Sequence, residues 1–318
     1  MSPRISRTDR CVIALDVGGT SMKGALLDRS LRVHCSLRRP TPRGSGPEAV
    51  VDEIVLALHE LAARADADGL TVHQAGVVVP GIVREQTGTA VYAANLGWRD
   101  LPLARLLAAR TGLSVVLGHD VRAGAAAESE LGAARGRRDA LFVAIGTGIS
   151  AALTADGQVL HGGGYAGEIG HVRVAGNRAR CGCGGFGCLE TLASAAAVAR
   201  AYTTVAGRTV AGAAEVAERV AAGDAHAAAV WDRATRGLAG ALATVVTLLA
   251  PEVIVIGGGL AEAGELLLAP VRARLAAELT FQQVPAVVRA ELGDRAGCIG
   301  AGLHAWQRQP VLTPTAAR

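Results

Sequence analysis

Two stretches of the chain repeat one pattern: an apolar run, a glycine-rich turn and a second apolar run. In the first, Cys11–Asp16 leads through Gly18, Gly19 and Thr20 into Met22–Leu27. In the second, Ala140–Ile145 leads through Gly146, Thr147 and Gly148 into Ile149–Thr154. Short apolar runs bounded by glycine read as paired strands. Each pair is followed by mixed strand and helix patterns. After the first come a strand Leu31–Leu37, a connector Pro40–Pro47, and a helix Glu48–Ala63 with Val51, Ile54, Val55 and Leu58 on one face. Strands Ala75–Val79 and Val115–Leu117 and helices Leu103–Arg110 and Asp120–Ala134 complete that half. The second half adds helices Ser194–Val205, Gly212–Ala222, Ala225–Leu249, Gly264–Leu279 and Ala301–Arg308, with strands Glu252–Ile256 and Ala286–Glu291. This alternation predicts an α/β chain of two similar halves.

The length of 318 residues suits about two domains with cores large enough to need no disulfide. Lys23 is the single lysine, the net charge is only +4, and the arginine pairs Arg38-Arg39 and Arg137-Arg138 stand isolated among few aromatics. No nucleic-acid partner is expected from such a pattern. The polar, basic start (Met1–Arg10) is not followed by a long apolar region, because Asp16 interrupts it. The strongest apolar run, Ala241–Ile256, is broken by Pro251 and Glu252 and is shorter than the roughly 18 residues of a spanning helix. A soluble, cytoplasmic protein without a membrane partner is expected. In a reducing compartment clustered cysteines suggest a metal before a disulfide. Cys11, Cys35 and Cys298, by contrast, read as small core residues.

Three glycine turns end apolar runs: Asp16-Val-Gly18-Gly19-Thr20, Gly146-Thr147-Gly148 and Gly257-Gly258-Gly259. Bare backbone lets N–H groups approach phosphate oxygens, Thr20 adds a hydroxyl, and Asp16 is suited to Mg²⁺ directly or through water. The alternative for each is a plain turn. Lys23 follows Met22 rather than glycine, so the first turn is no Walker loop. Gly162-x-Gly164-x-x-Gly167 matches a dinucleotide fingerprint but lies between no clear strand and long helix, and Glu168 would face the pyrophosphate. Asp120 sits at a strand end and helix start. There it reads either as a helix N-cap or as an ionised carboxylate able to take a hydroxyl proton during phosphoryl transfer.

Cys181-Gly-Cys183-Gly-Gly-Phe-Gly-Cys188 is the sharpest local signal. Three thiols in a glycine-rich wrap, with His171 upstream, match a closed, structural Zn²⁺ site of four protein ligands. A redox pair and inert thiols are the alternatives.

These motifs, with Pro80-Gly81-Ile82-Val83, Asn95-Leu96-x-Trp98, Ala166-Gly167-Glu168-Ile169-Gly170-His171 and Leu189-Glu190, occur in one order. That order, over Cys11–Leu303, resembles the ROK family of bacterial sugar kinases and sugar-responsive repressors. The resemblance implies a two-lobed actin/hexokinase-like (ribonuclease H-like) fold with an interlobe cleft. The expected lobes are residues 11–119 plus 301–318, and 120–300 with the zinc site. It implies transfer of a phosphoryl group from ATP, with Mg²⁺, to a hexose hydroxyl, usually on C6. Asp120 would be the base. Glu168, His171 and Glu190 would contact the sugar near C1 and C2, and Gly81 and Asn95 would border it. The three glycine turns, with Asp16, Thr20, Lys23 and Thr147, would hold the nucleotide. His119 stands where many members carry Asn against the sugar, which slightly favours N-acetylglucosamine over glucose. Only about ten residues precede the first strand, too few for the DNA-binding module of family repressors. A catalytically idle sugar sensor is the other rival, and Asp120 argues against it. A homo-oligomer, dimer or tetramer, is expected, with sugar and ATP as the small-molecule partners.

Overall fold

The structure is a computed structural model that describes residues 10–308. The polar, basic start and the last ten residues of the expected N-terminal lobe lie outside the described residues, apart from Arg10. The described chain divides into two compact units. The first holds residues 10–127, His161–Tyr165 and 294–308; the second holds Glu128–Leu160 and Ala166–Gly293.

The first unit is built on β1 (Arg10–Val17), β2 (Ser21–Leu27), β3 (Val33–Pro40), α1 (Pro47–Ala67) and β4 (Thr71–Val79). Three short strands follow, β5 (Ile82–Arg84), β6 (Thr89–Ala93) and β7 (Trp98–Leu101), then α2 (Leu103–Thr111), β8 (Val115–His119) and α3 (Asp120–Leu131). The main sheet has the order β3-β2-β1-β4-β8. β1 and β2 form the expected antiparallel hairpin, while β4 lies parallel to β1 and β8 parallel to β4. Successive side chains of a strand point to opposite faces. Cys11, Ile13 and Leu15 of β1 therefore pack with Val50, Ile54 and Leu58 of α1. Val12 and Ala14 pack on the other face with Cys298, Ala301 and Ala305 of the helix Ala296–Gln307.

That last helix starts five residues before its expected beginning at Ala301. Gly297, Gly300 and Gly302 weaken the helical signal in the sequence, yet all three face close neighbours, Gly302 against Leu27. A Cβ on Gly297 would stand 2.5 Å from Asp16 Oδ2, and one on Gly300 would strike the Ala123 carbonyl oxygen. The three-stranded sheet β5-β6-β7 was also not legible, since its strands are too short for alternation to register.

The second unit repeats the plan with β9 (Ala140–Ile145), β10 (Ile149–Ala155) and β11 (Gln158–Val159). It continues through α4 (Glu190–Ala193), α5 (Ala195–Ala206), α6 (Ala213–Ala221), α7 (Ala225–Leu249), β12 (Val253–Gly257), α8 (Glu265–Glu278) and β13 (Ala286–Arg289). Its sheet order is β11-β10-β9-β12-β13. Here too one antiparallel hairpin is extended by two parallel strands, so the weak similarity between the halves corresponds to a shared topology. Leu141, Val143 and Ile145 of β9 pack with Val198, Trp231, Leu238 and Val271 of the helices. Among the described residues no helix is long and apolar enough to cross a membrane.

Candidate active site

In the first unit, parallel pairing of β1, β4 and β8 brings their C-terminal ends to one edge. Asp16 lies opposite Val78, and Val79 opposite His119. Asp16, Gly81 and Asp120 therefore gather where ligands bind in open α/β sheets. Gly81 has φ +95°, and a Cβ there would strike the Tyr92 carbonyl oxygen of β6, so only glycine fits. Asn95 is exposed in the turn between β6 and β7.

Asp16 is half-buried. Burial first, then the charges of Asp120 and Asp294, push its carboxyl up to about 7, while Lys23 pulls it down. Lys23 lies opposite Asp16 in the β1–β2 hairpin, and its Nζ donates to the Asp294 carbonyl at 2.9 Å. A crowded carboxylate of this kind suits a cation. The Gly18–Gly19 turn is fastened by a residue the sequence did not reveal, Thr41, whose Oγ1 donates to the Gly18 carbonyl at 2.7 Å. Its own N–H donates to the Thr20 carbonyl at 3.0 Å. The carbonyls are thereby engaged, and the N–H groups of Gly19 and Thr20 make no hydrogen bond among the described residues.

Asp120 opens α3, and its Oδ1 accepts the Val121 N–H at 2.7 Å. His119 ends β8 and is only 4% exposed. Its Nδ1 accepts the Arg122 N–H at 3.3 Å, and its Nε2 lies 3.5 Å from Asp120 Oδ1. Burial pushes the imidazole below its usual range, against the opposing effect of Asp120. Arg122 is likewise buried, donating to Glu85 Oε1 at 2.9 Å and to the Val83 and Gly164 carbonyls at 3.3 and 3.4 Å. This anchor keeps the first turns of α3 and the segment His161–Tyr165 with the first unit. The only signal for it was an arginine among small residues of a helix.

In the second unit, β9 and β12 run parallel with Gly257 opposite Ala144, which brings the Gly146–Gly148 and Gly257–Gly259 turns to one edge. Gly258, at φ +82°, packs its bare Cα on the Ile145 backbone. Thr147 is exposed. The strand after the first turn organises the remaining carboxylates. The Ala151 N–H donates to the Gly167 carbonyl at 2.7 Å, and a Cβ on Gly167 or Gly170 would strike the carbonyls of Ala151 and Ile149. Glu168 and His171 are thereby laid along β10. Glu190 joins them, its Oε2 accepting the Ile149 N–H at 3.0 Å. His171 Nε2 lies 3.7 Å from Glu168 Oε2.

The other nitrogen of His171, Nδ1, lies 3.7 Å from Cys181 Sγ, and Cys183 Sγ lies 3.7 Å from Cys188 Sγ. All four candidate ligand atoms fall within 4.8 Å of one another. Zinc bonds of about 2.3 Å in a tetrahedron imply ligand separations near 3.8 Å, so the donor set and spacing fit a structural metal. The sulfurs are far beyond the roughly 2.05 Å of a disulfide. Burial first, then the neighbouring thiols, push Cys188 up to about 12, a crowding that a cation relieves. Asn177, also missed in the sequence, braces the loop by donating to the Cys188 carbonyl at 3.1 Å and to Thr191 Oγ1 at 2.9 Å.

The ROK family pattern matches residues 12–308. The chain belongs to the ROK family. A glucokinase of Halalkalibacterium halodurans is 35% identical over 93% of this chain and 94% of its own length. An N-acetylmannosamine kinase of Citrobacter koseri is 33% identical over 92% of this chain and 98% of its own. The structure of a ROK glucokinase from Streptomyces griseus in complex with glucose and AMPPNP superposes with a TM-score of 0.80 at 29% identity, covering 94% of this chain and 100% of that one. The chain thus has the actin/hexokinase-like fold of ROK sugar kinases and is an ATP-dependent sugar kinase.

Proposed function

We propose that this ROK kinase transfers the γ-phosphoryl group of ATP to the C6 hydroxyl of glucose, with Asp120 as the base. The observation that carries the reading is the placement of Asp120 at the junction of β8 and α3, with Oδ1 held by the Val121 N–H. The other oxygen, Oδ2, takes the proton of the sugar hydroxyl as it attacks. Glu168, His171 and Glu190 hold the sugar near C1 and C2, and Gly81 and Asn95 border it. The N–H groups around Gly18, Gly19 and Thr20 and the turns Gly146–Gly148 and Gly257–Gly259 cradle the nucleotide, with Lys23 lending positive charge nearby. Asp16 is suited to carry Mg²⁺, a hard cation that retains most of its waters and takes one or two carboxylates. Mg²⁺, when bound, supplies neutralisation of phosphate charge. His171, Cys181, Cys183 and Cys188 hold a structural zinc.

Glucose is favoured because relatives that match along nearly the whole chain include a glucokinase at 35% identity. The acetamido preference rested on His119 reaching the sugar, and a side chain 5% exposed with both nitrogens facing Arg122 and Asp120 offers that reading no support. The test is ADP release from ATP and Mg²⁺ with glucose, N-acetylglucosamine and N-acetylmannosamine. Glucose should give the largest kcat/KM by about tenfold or more, a difference of about 1.4 kcal/mol. A larger value on either acetamido sugar overturns the assignment.

A further inference from the structure

We infer that His119 is a positioning residue for the catalytic carboxylate: its Nε2–H holds Oδ1 of Asp120, and it takes no part in sugar recognition. The inference rests on the reading of Asp120 as the base.

The neighbours of His119 fix its tautomer. The Arg122 N–H points at His119 Nδ1 at 3.3 Å, and an N–H needs an acceptor there. A proton on Nδ1 would set two donors against each other, so Nδ1 is bare. The ring is 4% exposed, which disfavours a charged imidazolium, and a neutral ring must then carry its single proton on Nε2. Nε2 faces Asp120 Oδ1 at 3.5 Å. That is long for a hydrogen bond, as is common in a free enzyme whose contacts tighten when substrate binds.

The consequence concerns the two oxygens of Asp120. Oδ1 accepts the Val121 N–H at 2.7 Å, and the imidazole Nε2 stands 3.5 Å from the same oxygen, close enough to donate once the contact tightens. With both donors engaged, the plane of the carboxylate is fixed and Oδ2 is left as the proton acceptor. Misplacing a reacting group by about 1 Å can cost about 10²-fold in rate, so a group that sets this plane acts on turnover. The ring itself is positioned from behind, because Arg122 is buried and bonded to Glu85.

Two substitutions separate the two ends of the ring. In His119→Gln the amide nitrogen reaches the place of Nε2, keeping the donor to Asp120 and losing the acceptor for Arg122. In His119→Asn the amide oxygen can stay near Nδ1, keeping the acceptor and losing the donor. Steady-state kinetics on glucose and ATP should show kcat of His119→Gln within about threefold of the parent. Both His119→Asn and His119→Ala should lose at least about tenfold in kcat, with the KM for glucose changed less than about threefold. If His119→Asn does not fold, the Gln and Ala variants carry the comparison alone. An effect confined to KM or to sugar preference overturns the inference, as does equal turnover in the Gln and Ala variants. Asp120→Asn is measured beside them. Lost turnover in Asp120→Asn with full turnover in His119→Ala overturns the role of His119 alone, whereas full turnover in both overturns the base assignment as well.

Discussion

Gly148 makes room for Glu190: a Cβ at position 148 would stand 2.5 Å from Glu190 Oε2. The φ of Gly148 lies outside the left-handed region, so a positive φ is not what calls for glycine there. The glycine is required for space. The same Glu190 oxygen accepts the Ile149 N–H at 3.0 Å, so the turn proposed to hold the nucleotide also seats a carboxylate proposed to hold the sugar. Gly148→Ala should therefore fold with a melting temperature close to the parent, since the clash is with the end of a flexible side chain. It should raise the KM for glucose by about tenfold, the loss of one charge-assisted hydrogen bond. Steady-state kinetics beside a thermal melt checks this; an unchanged KM would show that Glu190 does not bind the sugar.

Asp120→Asn keeps the shape of the side chain and can still accept the Val121 N–H through its amide oxygen. It loses the proton acceptor. A positioned general base contributes about 10²–10⁴-fold, so kcat should fall by at least about 10²-fold while nucleotide binding, measured by calorimetry, is retained. A folded variant with near-parent kcat would redirect the search to Glu168 and Glu190.

Purified protein should contain about one zinc per chain by elemental analysis. Cys183→Ser or prolonged chelation should lower the melting temperature and raise the KM for glucose more than that for ATP. The reason is covalent: His171 is itself a proposed ligand, and Glu190 follows Cys188 by two residues. A metal-free protein with unchanged melting and unchanged glucose KM would exclude a structural zinc.

Glu85 is buried against Arg122, with His161 Nδ1 at 3.5 Å and Arg308 Nη2 at 3.1 Å on its other oxygen. Burial alone would raise its carboxyl; hydrogen bonding from His161 and the charges of His304 and Arg122 outweigh this and hold it well below the usual carboxylate range. Its contribution to stability is thus present above the ordinary glutamate pKa of 4.5 and is lost as pH falls toward the depressed value. Glu85→Gln leaves Arg122 buried without its counter-charge and should cost about 3 kcal/mol near pH 7. The gap between parent and variant should narrow as the pH is lowered below about 4, because only the parent has a proton to take up there. Urea unfolding at several pH values measures both; a gap independent of pH would show that the Glu85 charge does not stabilise the fold.

What the sequence determined by itself was local. Apolar runs and glycine turns specified both hairpins, because alternation and chain reversal depend on neighbouring residues. Cys181, Cys183 and Cys188 announced a shared ligand site, because three thiols within eight residues can reach one point through a short wrap. Tertiary structure decided everything that depends on which distant atom stands opposite. Gly148 reads in sequence as a phosphate turn, and only the arrival of Glu190 shows what its missing Cβ is for. Gly297 and Gly300 read as helix breakers until Asp16 and Ala123 are seen pressed against them. Thr41 and Arg122 carry no motif, because side chains that fasten a turn or anchor a helix need only the right type at one point in space. His119 stands where a sugar contact was expected, and the positioning role proposed for it rests on the Arg122 N–H on one side and the Asp120 carboxylate on the other. Spacing along a chain records which groups are available, whereas the direction of a ring nitrogen is chosen by the donors and acceptors that folding brings around it.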